Sequence, residues 1–343
     1  MKTIFLSSNT KIVTYCGQNI TVNDKLNLED IYLINKDGKP VKIHNINKCS
    51  KDAVQVIPNK GIPFICGTST KINVKRYTKS KNNSMYQTLS LDQITQLEAT
   101  LNVFHKCVKI IRCINLNFKE SKLMIHPYIH GLFNSKETCT IQSSDLDIMN
   151  KIDMLGKQND STHSFWIDKQ SKFIHSHNGW LTKELKRKNN IFHHEHEKII
   201  PIEYIQTTNE NIKEYLAGLI DGNIGNLKSK NHTFDITSRS HPFIDSLSIM
   251  FRACGFLVHV KETKFTRFSS KRQKMQPILR LYASGELTSL PSMKCKKINP
   301  GRKSTRDWTI TFFSLGFHEN IEGFEIEIDD DETILTEDFF ILS

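Results

Sequence analysis

The sequence lacks the features that identify several large classes of protein. No run approaches the roughly 18 apolar residues of a membrane-spanning helix, and the apolar stretch after Met1 is too short for a signal peptide. The eight cysteines form no C-x-x-C pair, which argues against a structural zinc site and against a small disulfide framework. We therefore expect an intracellular protein with free thiols that does not enter a membrane.

Acidic residues are missing from two long stretches and crowded at the C-terminal end. The 343 residues carry 47 Lys and Arg against 36 Asp and Glu, a net charge of +11. Ten of the acids lie in residues 319–343, which contain no Lys or Arg, so residues 1–318 carry a net charge of +21 (47 basic and 26 acidic side chains). No acid occurs within 53–91 or within 263–285. This distribution favours a polyanion partner, DNA or RNA, over the alternative of a solvated basic face.

The order of secondary-structure signals is β, then mixed α and β, then β again. Short β-branched runs separated by turn residues fill about the first 75 residues. Residues 76–90 are polar and basic, and we expect a flexible arm or linker there. Apolar residues at helical spacing predict a helix over 212–220, capped by Asn209 or Asn211, and another over 243–251. The predicted class is therefore α+β, with one chain end completing a β domain that the other end begins.

Residues 215–225 carry the most specific pattern in the chain. They read Tyr-Leu-Ala-Gly-Leu-Ile-Asp-Gly-Asn-Ile-Gly, which resembles the LAGLIDADG helix of homing endonucleases. Small residues, here Ala217 and Gly218, let two such helices approach backbone to backbone. The resemblance implies a DNA saddle at whose centre each helix end supplies one carboxylate, and these carboxylates share Mg²⁺ ions that activate water. The alternative is an ordinary buried helix that ends in an Asp-Gly turn.

The resemblance extends over nearly the whole chain to the intein-derived (DOD-type) LAGLIDADG homing endonucleases, the branch of the vacuolar-ATPase inteins and of the HO-type mating-type switching endonucleases. Residues 5–15 and 36–43 resemble the opening segments of the intein fold, called the Hint fold. Residues 66–74 and 323–343 resemble its splicing block and its closing half. The implied fold is an all-β Hint domain formed by both chain ends, with an inserted pseudo-twofold αββαββ LAGLIDADG endonuclease domain.

The resemblance also sets the expected domain boundaries. The N-terminal part of the Hint domain, with its basic arm, is expected at 1–90. The endonuclease-like domain is expected at 91–304, with halves of about 120–200 and 201–304. The C-terminal part of the Hint domain is expected at 305–343.

The positions that an intein uses for splicing hold residues that cannot perform it. An intein needs a Cys or Ser nucleophile at its first residue, a His in a middle block and a terminal His-Asn pair. By the resemblance, these positions are Phe5, Thr70, Leu342 and Ser343. We therefore expect protein splicing to be lost.

The endonuclease positions are altered as well. The family's catalytic Asp of the second motif corresponds to Asn223, while Asp221 is the earlier acid that helps to end the helix. The first motif is best matched by residues 128–138, where the catalytic position holds Lys136 and is followed by Glu137. An amide or an ammonium group does not replace a carboxylate as a charged metal ligand or as a base.

Basic residues, in contrast, are retained. Two lysines that the family places near the reacting phosphates correspond to Lys198 and Lys297; the alternative is that they are ordinary phosphate-contacting or solvated lysines. Further basic residues of the acid-poor stretches and of the second half are expected to bind DNA: Lys75, Arg76, Lys79, Lys81, Lys228, Lys230, Arg239, Lys264, Arg267, Lys271, Arg272, Lys274 and Arg280.

The expected function is binding of double-stranded DNA by a nuclear, monomeric protein whose DNA cleavage is lost or weak. Mg²⁺ is expected as a cofactor only if cleavage remains. Two alternatives stay open. One is an active, Mg²⁺-dependent, site-specific endonuclease that uses Asp221 and Glu137 as metal ligands. The other is a decaying selfish element that retains no activity.

Overall fold

The structure is a computed structural model. It describes residues 1–22, 31–77, 84–100, 107–135, 141–142, 145–158, 165–168, 173–176, 198–222, 225–228, 232–264, 277–297, 307 and 309–343. The chain divides into two compact units. In the described part of the chain, no helix combines the length and apolar character needed to cross a membrane.

Helices and strands are interspersed along the chain. The strands are β1 (Lys2–Ser7), β2 (Lys11–Val13), β3 (Asn19–Thr21), β4 (Tyr32–Ile34), β5 (Pro40–Lys42), β6 (Asn45–Pro58), β7 (Phe64–Gly67), β8 (Lys71–Tyr77), β9 (Ser84–Ser90), β10 (Val108–Ile111), β11 (Ile141–Gln142), β12 (Phe165–Asp168), β13 (Phe173–Ser176), β14 (Asn226–Lys228), β15 (Thr233–Ser238), β16 (Leu257–Lys264), β17 (Pro277–Ser284), β18 (Ile310–Thr311), β19 (Phe313–Ile328), β20 (Ile334–Leu335) and β21 (Ile341–Leu342). The helices are α1 (Leu91–Thr100), α2 (Pro127–Asn134), α3 (Leu146–Gln158), α4 (Asn209–Asp221), α5 (His241–Ala253) and α6 (Met293–Lys296), with short 3-10 helices at Ile202–Tyr204 and Leu287–Ser289. The predicted α+β class is confirmed, and the described sheets are antiparallel.

The first unit comprises residues 1–119, 252–257 and 304–343. Its barrel has the strand order β1-β19-β6-β7 and closes through β7 onto β1. β1 pairs with β19 from Lys2, opposite Ile328, to Ser7, opposite Gly323. A second sheet has the order β18-β10-β8-β21-β20. Strands from both ends of the chain therefore share one hydrophobic core, whose apolar side chains are buried from Ile4 to Leu342.

The acidic residues near the C-terminus lie in this first unit and form ion pairs within it. His44 Nε2 lies within hydrogen-bonding distance of Asp329 Oδ1 (3.0 Å). The ion pairs are Lys51–Glu325, Lys48–Glu322 (3.9 Å), the Met1 ammonium group with Asp330 (3.0 Å), Lys11–Glu337 (3.8 Å) and Arg252–Asp338 (2.7 Å). The last pair is buried on both sides, whereas most of the others are exposed and contribute about 0–1 kcal/mol each. The acidic residues near the C-terminus therefore interact with basic groups of the same unit.

The prediction of a flexible arm over residues 76–90 is wrong for the part that the structure describes. β8 runs to Tyr77, and β9 pairs with it in register from Lys71, opposite Ser90, to Tyr77, opposite Ser84. Polar residues on β9 suit an edge strand with an exposed face, because only the backbone ladder has to be satisfied. Residues 78–83 lie outside the described residues.

The second unit comprises residues 120–251 and 258–303. Its first half contains α2, β11, α3, β12 and β13, and the three strands form a sheet in the order β11-β13-β12. Its second half contains α4, β14, β15, α5, β16 and β17, and the four strands form a sheet in the order β14-β15-β17-β16. The second half therefore has the order αββαββ.

The helix predicted over 212–220 is confirmed as α4. Its N-cap is Thr208, whose side chain accepts from the Asn211 N–H, so the prediction that Asn209 or Asn211 caps it is wrong. The N–H groups of the first helical turn have no acceptor within the helix, and the hydroxyl oxygen of a threonine in extended backbone accepts from one of them. The predicted helix over 243–251 is confirmed within α5.

Candidate nucleic-acid interface

α2 and α4 pack backbone to backbone because each has a glycine at the point of contact. A Cβ atom on Gly218 would lie 1.9 Å from the Tyr128 carbonyl oxygen, and one on Gly131 would lie 2.1 Å from the Tyr215 carbonyl oxygen. Neither distance leaves room for any side chain. The two glycines contact each other's helix in equivalent ways, so the pair is related by an approximate twofold axis.

The polar contacts of the helix pair repeat the same symmetry. The Tyr128 hydroxyl donates to Asp221 Oδ2 at 2.8 Å, and the Tyr215 hydroxyl lies 2.6 Å from Asn134 Nδ2, which donates to it. Tyr128 and Tyr215 are equivalent positions 87 residues apart, as are Asn134 and Asp221. Burial and the neighbouring Asp221 carboxylate raise the pKa of the Tyr128 hydroxyl, so Tyr128 stays a donor at neutral pH.

Asp221 uses both carboxylate oxygens within the protein. Oδ1 accepts from the Ser292 hydroxyl at 2.6 Å and from the Lys294 N–H at 3.0 Å, and Oδ2 accepts from the Met293 N–H at 2.9 Å and from the Tyr128 hydroxyl. The carboxylate, which is 4% exposed, therefore caps the N-terminus of α6. Four donors occupy about all the accepting positions that a carboxylate offers. A metal ion could bind Asp221 only by displacing one of them, so these contacts argue against the metal-ligand role considered for it.

The two helices end side by side. The Ser135 hydroxyl, just after α2, lies 2.9 Å from the Gly222 carbonyl oxygen, just after α4. A Cβ on Gly222 would overlap Ser135 Oγ at 1.8 Å. The residues that follow, Lys136 and Glu137 after α2 and Asn223 after α4, lie outside the described residues. Among the described residues, no group of three or more His, Cys, Asp and Glu side chains is arranged to hold a metal ion.

The four-stranded sheet of the second half has one buried and one open face. On β17, Leu279, Leu281 and Ala283 are buried, and Arg280 and Tyr282 alternate with them. The register β15–β17 places Thr233, Asp235 and Thr237 on the same face as Arg280 and Tyr282. β14 adds Asn226, opposite Asp235, and Lys228, opposite Thr233. We call this side, with its polar and basic groups, the open face.

β16 extends the open face. The His259 ring stacks on Tyr282 with centroids 6.3 Å apart, so His259 and the residue two positions on, Lys261, lie on the open side. Both side chains are exposed. His259 and Lys261 were not among the residues that the sequence led us to expect at the DNA. The alternation of Val258 and Val260 with His259 and Lys261 is the signal that predicts them.

Asp235 lies in the middle of the open face and organises its charges. Its Oδ2 accepts from Arg280, at 3.1 Å from Nε and also from Nη2, and from Lys228 Nζ at 3.4 Å. Burial alone would raise the pKa of Asp235, but the hydrogen bonds from Arg280 and Lys228 outweigh it and lower the pKa. Arg280 also lies over the Tyr282 ring, 4.9 Å from its centroid. The carboxylate thus holds two cations in fixed positions.

The two lysines expected near the reacting phosphates are engaged elsewhere. Lys297 Nζ lies 2.7 Å from Asp145 and 3.0 Å from Asp147 at the start of α3. Hydrogen bonds to these two carboxylates raise the pKa of Lys297. Lys198 Nζ lies over the Phe243 ring, 4.8 Å from the centroid, and its carbonyl oxygen accepts from the Ser240 hydroxyl. The structure therefore gives each lysine an internal partner.

Of the other basic residues expected to bind DNA, few are fully described. Lys75 lies on β8 in the first unit, contacts the Tyr77 and Tyr86 rings, and pairs with Asp307 at 3.6 Å. Arg76, on the same strand, and Arg239, between β15 and α5, are half-buried. Lys264 ends β16, but its side chain lies outside the description. Lys79, Lys81, Lys230, Arg267, Lys271, Arg272 and Lys274 lie outside the described residues.

The expected splicing positions come close together in the first unit. A Cβ on Gly67 would lie 3.2 Å from Phe5 Cβ and 3.7 Å from Thr70 Oγ1. Next to Thr70, Lys71 exchanges two backbone hydrogen bonds with Ser343, and Leu342 pairs with Ile72. Phe5, Thr70 and Leu342 are buried. The nearby Cys66 is also buried, and burial raises the pKa of its thiol to about 12, so it supplies no thiolate at neutral pH.

Known proteins give no independent identification. No model of a protein family matches the chain, and no curated protein matches it either. The functional conclusion therefore depends on the residues and their geometry.

Proposed function

We propose that the chain is a double-stranded DNA-binding protein of the intein-derived LAGLIDADG homing-endonuclease type, in which protein splicing and DNA cleavage are lost. The observation that carries the proposal is the α2–α4 pair. Its reciprocal glycine contacts and reciprocal tyrosine hydrogen bonds fall on the segment whose sequence resembles the LAGLIDADG motif. An ordinary buried helix does not require a partner with matched close contacts.

The open face supports DNA as the ligand. It presents Lys228, Lys261 and Arg280 beside hydrogen-bonding groups on Asn226 and Thr237. Basic side chains suit phosphates, and amides and hydroxyls suit base edges. A carboxylate at this face would ordinarily repel DNA. Asp235 is instead buried and neutralised by two cations, so its field at the surface is small.

The residues do not fit the Mg²⁺ site that the family resemblance implies. The two positions that should supply carboxylates hold Lys136 and Asn223. The neighbouring Asp221 spends both oxygens on capping α6 and on Tyr128. A lysine at one metal position adds repulsion for a divalent cation. We therefore assign no catalytic step to a metal in this protein.

Splicing is excluded in the proposal by the side chains at its expected positions. Phe5 and Leu342 have no nucleophile or proton-transferring group. Thr70 occupies the position of the block histidine and has no group that titrates near neutral pH. Under this proposal the first unit is a folded Hint-like domain that no longer catalyses protein splicing. A nuclear location and a monomeric state go with the proposed function.

Two rival functions make different predictions. An active endonuclease needs Glu137 together with a second carboxylate, and the contacts of Asp221 count against that acid as the partner. A decaying element with no activity needs no DNA affinity, so it predicts that no duplex binds.

The test is selection from a library of randomised DNA duplexes with the full chain, with binding and cleavage scored separately. We expect bound duplexes with a shared sequence and no nicking in Mg²⁺. If about six phosphates are contacted, the affinity should fall by about a thousandfold between 50 and 200 mM salt. Specific binding with Mg²⁺-dependent cleavage would support the active endonuclease. No binding to any duplex would refute the proposal.

A matched set of variants locates the surface. Lys261→Gln removes an exposed cation from the open face, and Lys42→Gln removes an exposed cation from β5 of the first unit. We expect Lys261→Gln to weaken binding to all sequences and to reduce the salt slope by about one, as for a lost phosphate contact. Equal affinities of the two variants would show that DNA does not bind the open face.

A further inference from the structure

The first unit has a cavity that neither splicing nor the open face of the second unit uses. Its volume is about 540 Å³. It lies where the end of β6, β8, β10 and β18 meet, and Lys60, Tyr77, Lys109, Arg112, Asp307 and Phe312 contribute to its wall. The volume falls within the range of small-molecule sites, about 300–1,000 Å³. The wall combines three cations with two aromatic rings.

Arg112 is the unusual residue of this wall. It is 6% exposed, its Nη2 donates to the Lys60 carbonyl oxygen, and its guanidinium lies 4.6 Å from the centroid of the Phe340 ring. Its Nη1 is buried and has no hydrogen-bond partner among the described residues. A buried charged donor without a partner is costly, so such a group commonly marks a place where a ligand or water binds.

Asp338, the carboxylate whose charge acts on Arg112, already has other partners. Asp338 Oδ1 pairs with Arg252 at 2.7 Å, and Asp338 Oδ2 accepts from the Ile62 N–H. Arg252 is also buried, and its Nε and Nη1 have no partner among the described residues. Asp338 is therefore the ion-pair partner of Arg252 and acts on Arg112 only through its charge. Burial lowers the pKa of Arg112 to about 10, with Asp338 raising it and Arg252 lowering it, so Arg112 remains charged at neutral pH.

Lys109 brings a second cation to the cavity. Its Nζ lies 4.7 Å from the Tyr77 ring centroid and 4.6 Å from the Phe312 ring centroid. It makes no ion pair with any described residue. The carboxylate in the described wall, Asp307, is paired instead with Lys75 at 3.6 Å. The cavity therefore has an excess of positive charge beside two aromatic rings, and a planar group that stacks on either ring takes the place that the Lys109 ammonium now occupies.

We propose that this cavity binds a nucleoside monophosphate, with the phosphate at Arg112 and Lys109 and the base against Tyr77 or Phe312. A phosphate accepts from the planar guanidinium fork in the way that the unpaired Nη1 requires. Aromatic faces accept any base, because every base has a π-face. The inference is independent of DNA binding by the second unit, since every residue that carries it lies in the first.

The test is calorimetric titration of the full chain with adenosine 5′-monophosphate, inorganic phosphate and adenosine. We expect the monophosphate to bind most tightly, inorganic phosphate more weakly and adenosine hardly at all. Lys109→Gln and Arg112→Lys should each weaken binding of the monophosphate about tenfold, the usual effect of losing a charge-assisted hydrogen bond. Lys42→Gln, outside the cavity, should bind as the parent does. Thermal melting of each variant checks that the first unit is folded, and Lys109→Gln, which leaves the buried Arg112 intact, serves if Arg112→Lys fails to fold.

Several results would overturn the proposal. They are the absence of monophosphate binding at millimolar concentration, equal affinities of folded Lys109→Gln and Lys42→Gln, and adenosine binding as tightly as its monophosphate. Binding of a short DNA duplex that depends on Lys109, without binding of the monophosphate, would also overturn it, because the surface would then belong to a DNA track.

Discussion

Gly218→Ala tests the helix pair on which the proposed function depends. The added Cβ would lie 1.9 Å from the Tyr128 carbonyl oxygen, whereas real Cβ contacts essentially never fall below 3.0 Å. Because the neighbouring atom is backbone, α2 and α4 must move apart by about 1 Å, and a gap of that size forfeits a quarter to a half of each contact's attraction. Overpacking costs about 1–3 kcal/mol or more, and the better helix propensity of alanine offsets about 1 kcal/mol. At the upper end of that cost, we expect the free energy of unfolding of the second unit to fall by about 2 kcal/mol.

The assay is thermal and urea unfolding followed by circular dichroism at 222 nm. A loss of about 2 kcal/mol corresponds to a fall in Tm of roughly 4–8 °C for a unit of this size. Gly131→Ala, at the equivalent position, should cost about as much, and the double variant should cost less than the sum, because the first substitution has already separated the helices. Gly316→Ala is the control, since a Cβ there would have no neighbour closer than 3.8 Å. An unchanged or higher Tm for Gly218→Ala would refute the close approach.

Three further predictions concern single side chains. Asp221→Asn turns an amide N–H toward the donors whose hydrogen bonds the carboxylate now accepts, so the free energy of urea unfolding should fall by about 2–4 kcal/mol. The control Asp92→Asn removes an exposed charge from the first turn of α1 and should cost less than about 1 kcal/mol. The pKa of Asp235 is lower in the folded protein than in the unfolded chain, so the ionised carboxylate stabilises the fold above about pH 4, and this stabilisation is lost as the pH falls through the folded-state pKa. The free energy of unfolding of Asp235→Asn should therefore depend less steeply on pH in this acidic range. An unchanged slope would contradict the lowered pKa. Cys66, with its thiol pKa raised to about 12 by burial, should resist iodoacetamide at pH 8 in the native protein while the half-exposed Cys16 reacts, and early labelling of Cys66 by mass spectrometry would contradict its burial.

The sequence predicts those elements whose signal is local. The helix over 212–220 combines apolar spacing with a small-residue contact, and the structure has it as α4. The turn of residues 36–39 joins β4 to β5, with Gly38 at φ +76° as a left-handed turn position requires. The sequence does not select the N-cap of α4, because Thr208, Asn209 and Asn211 all have a side-chain oxygen that can cap a helix, and the backbone conformation selects Thr208.

Features that depend on distant partners are not visible in the sequence. β9 has a polar composition typical of a loop, and its pairing with β8 provides the strand hydrogen bonds that composition does not predict. From the sequence, Asp221 is a candidate metal ligand. The structure shows that Ser292 and the N–H groups that follow it, about 70 residues further along the chain, donate hydrogen bonds to its carboxylate. The same holds for Asp235, whose two cations come from neighbouring strands. The domain boundaries and the family assignment stay predictions.

The pairing of β1 with β19 has a consequence for how the protein is made. Lys2 lies opposite Ile328, so β1 is synthesised more than 300 residues before the strand with which it pairs. The second unit, residues 120–251 and 258–303, is synthesised between these two strands and can fold before β19 exists. Until residues 313–328 arrive, β1 and β6 expose unpaired edges of the kind that aggregate. We therefore expect synthesis of the full chain to depend on chaperones more than synthesis of residues 120–303 alone.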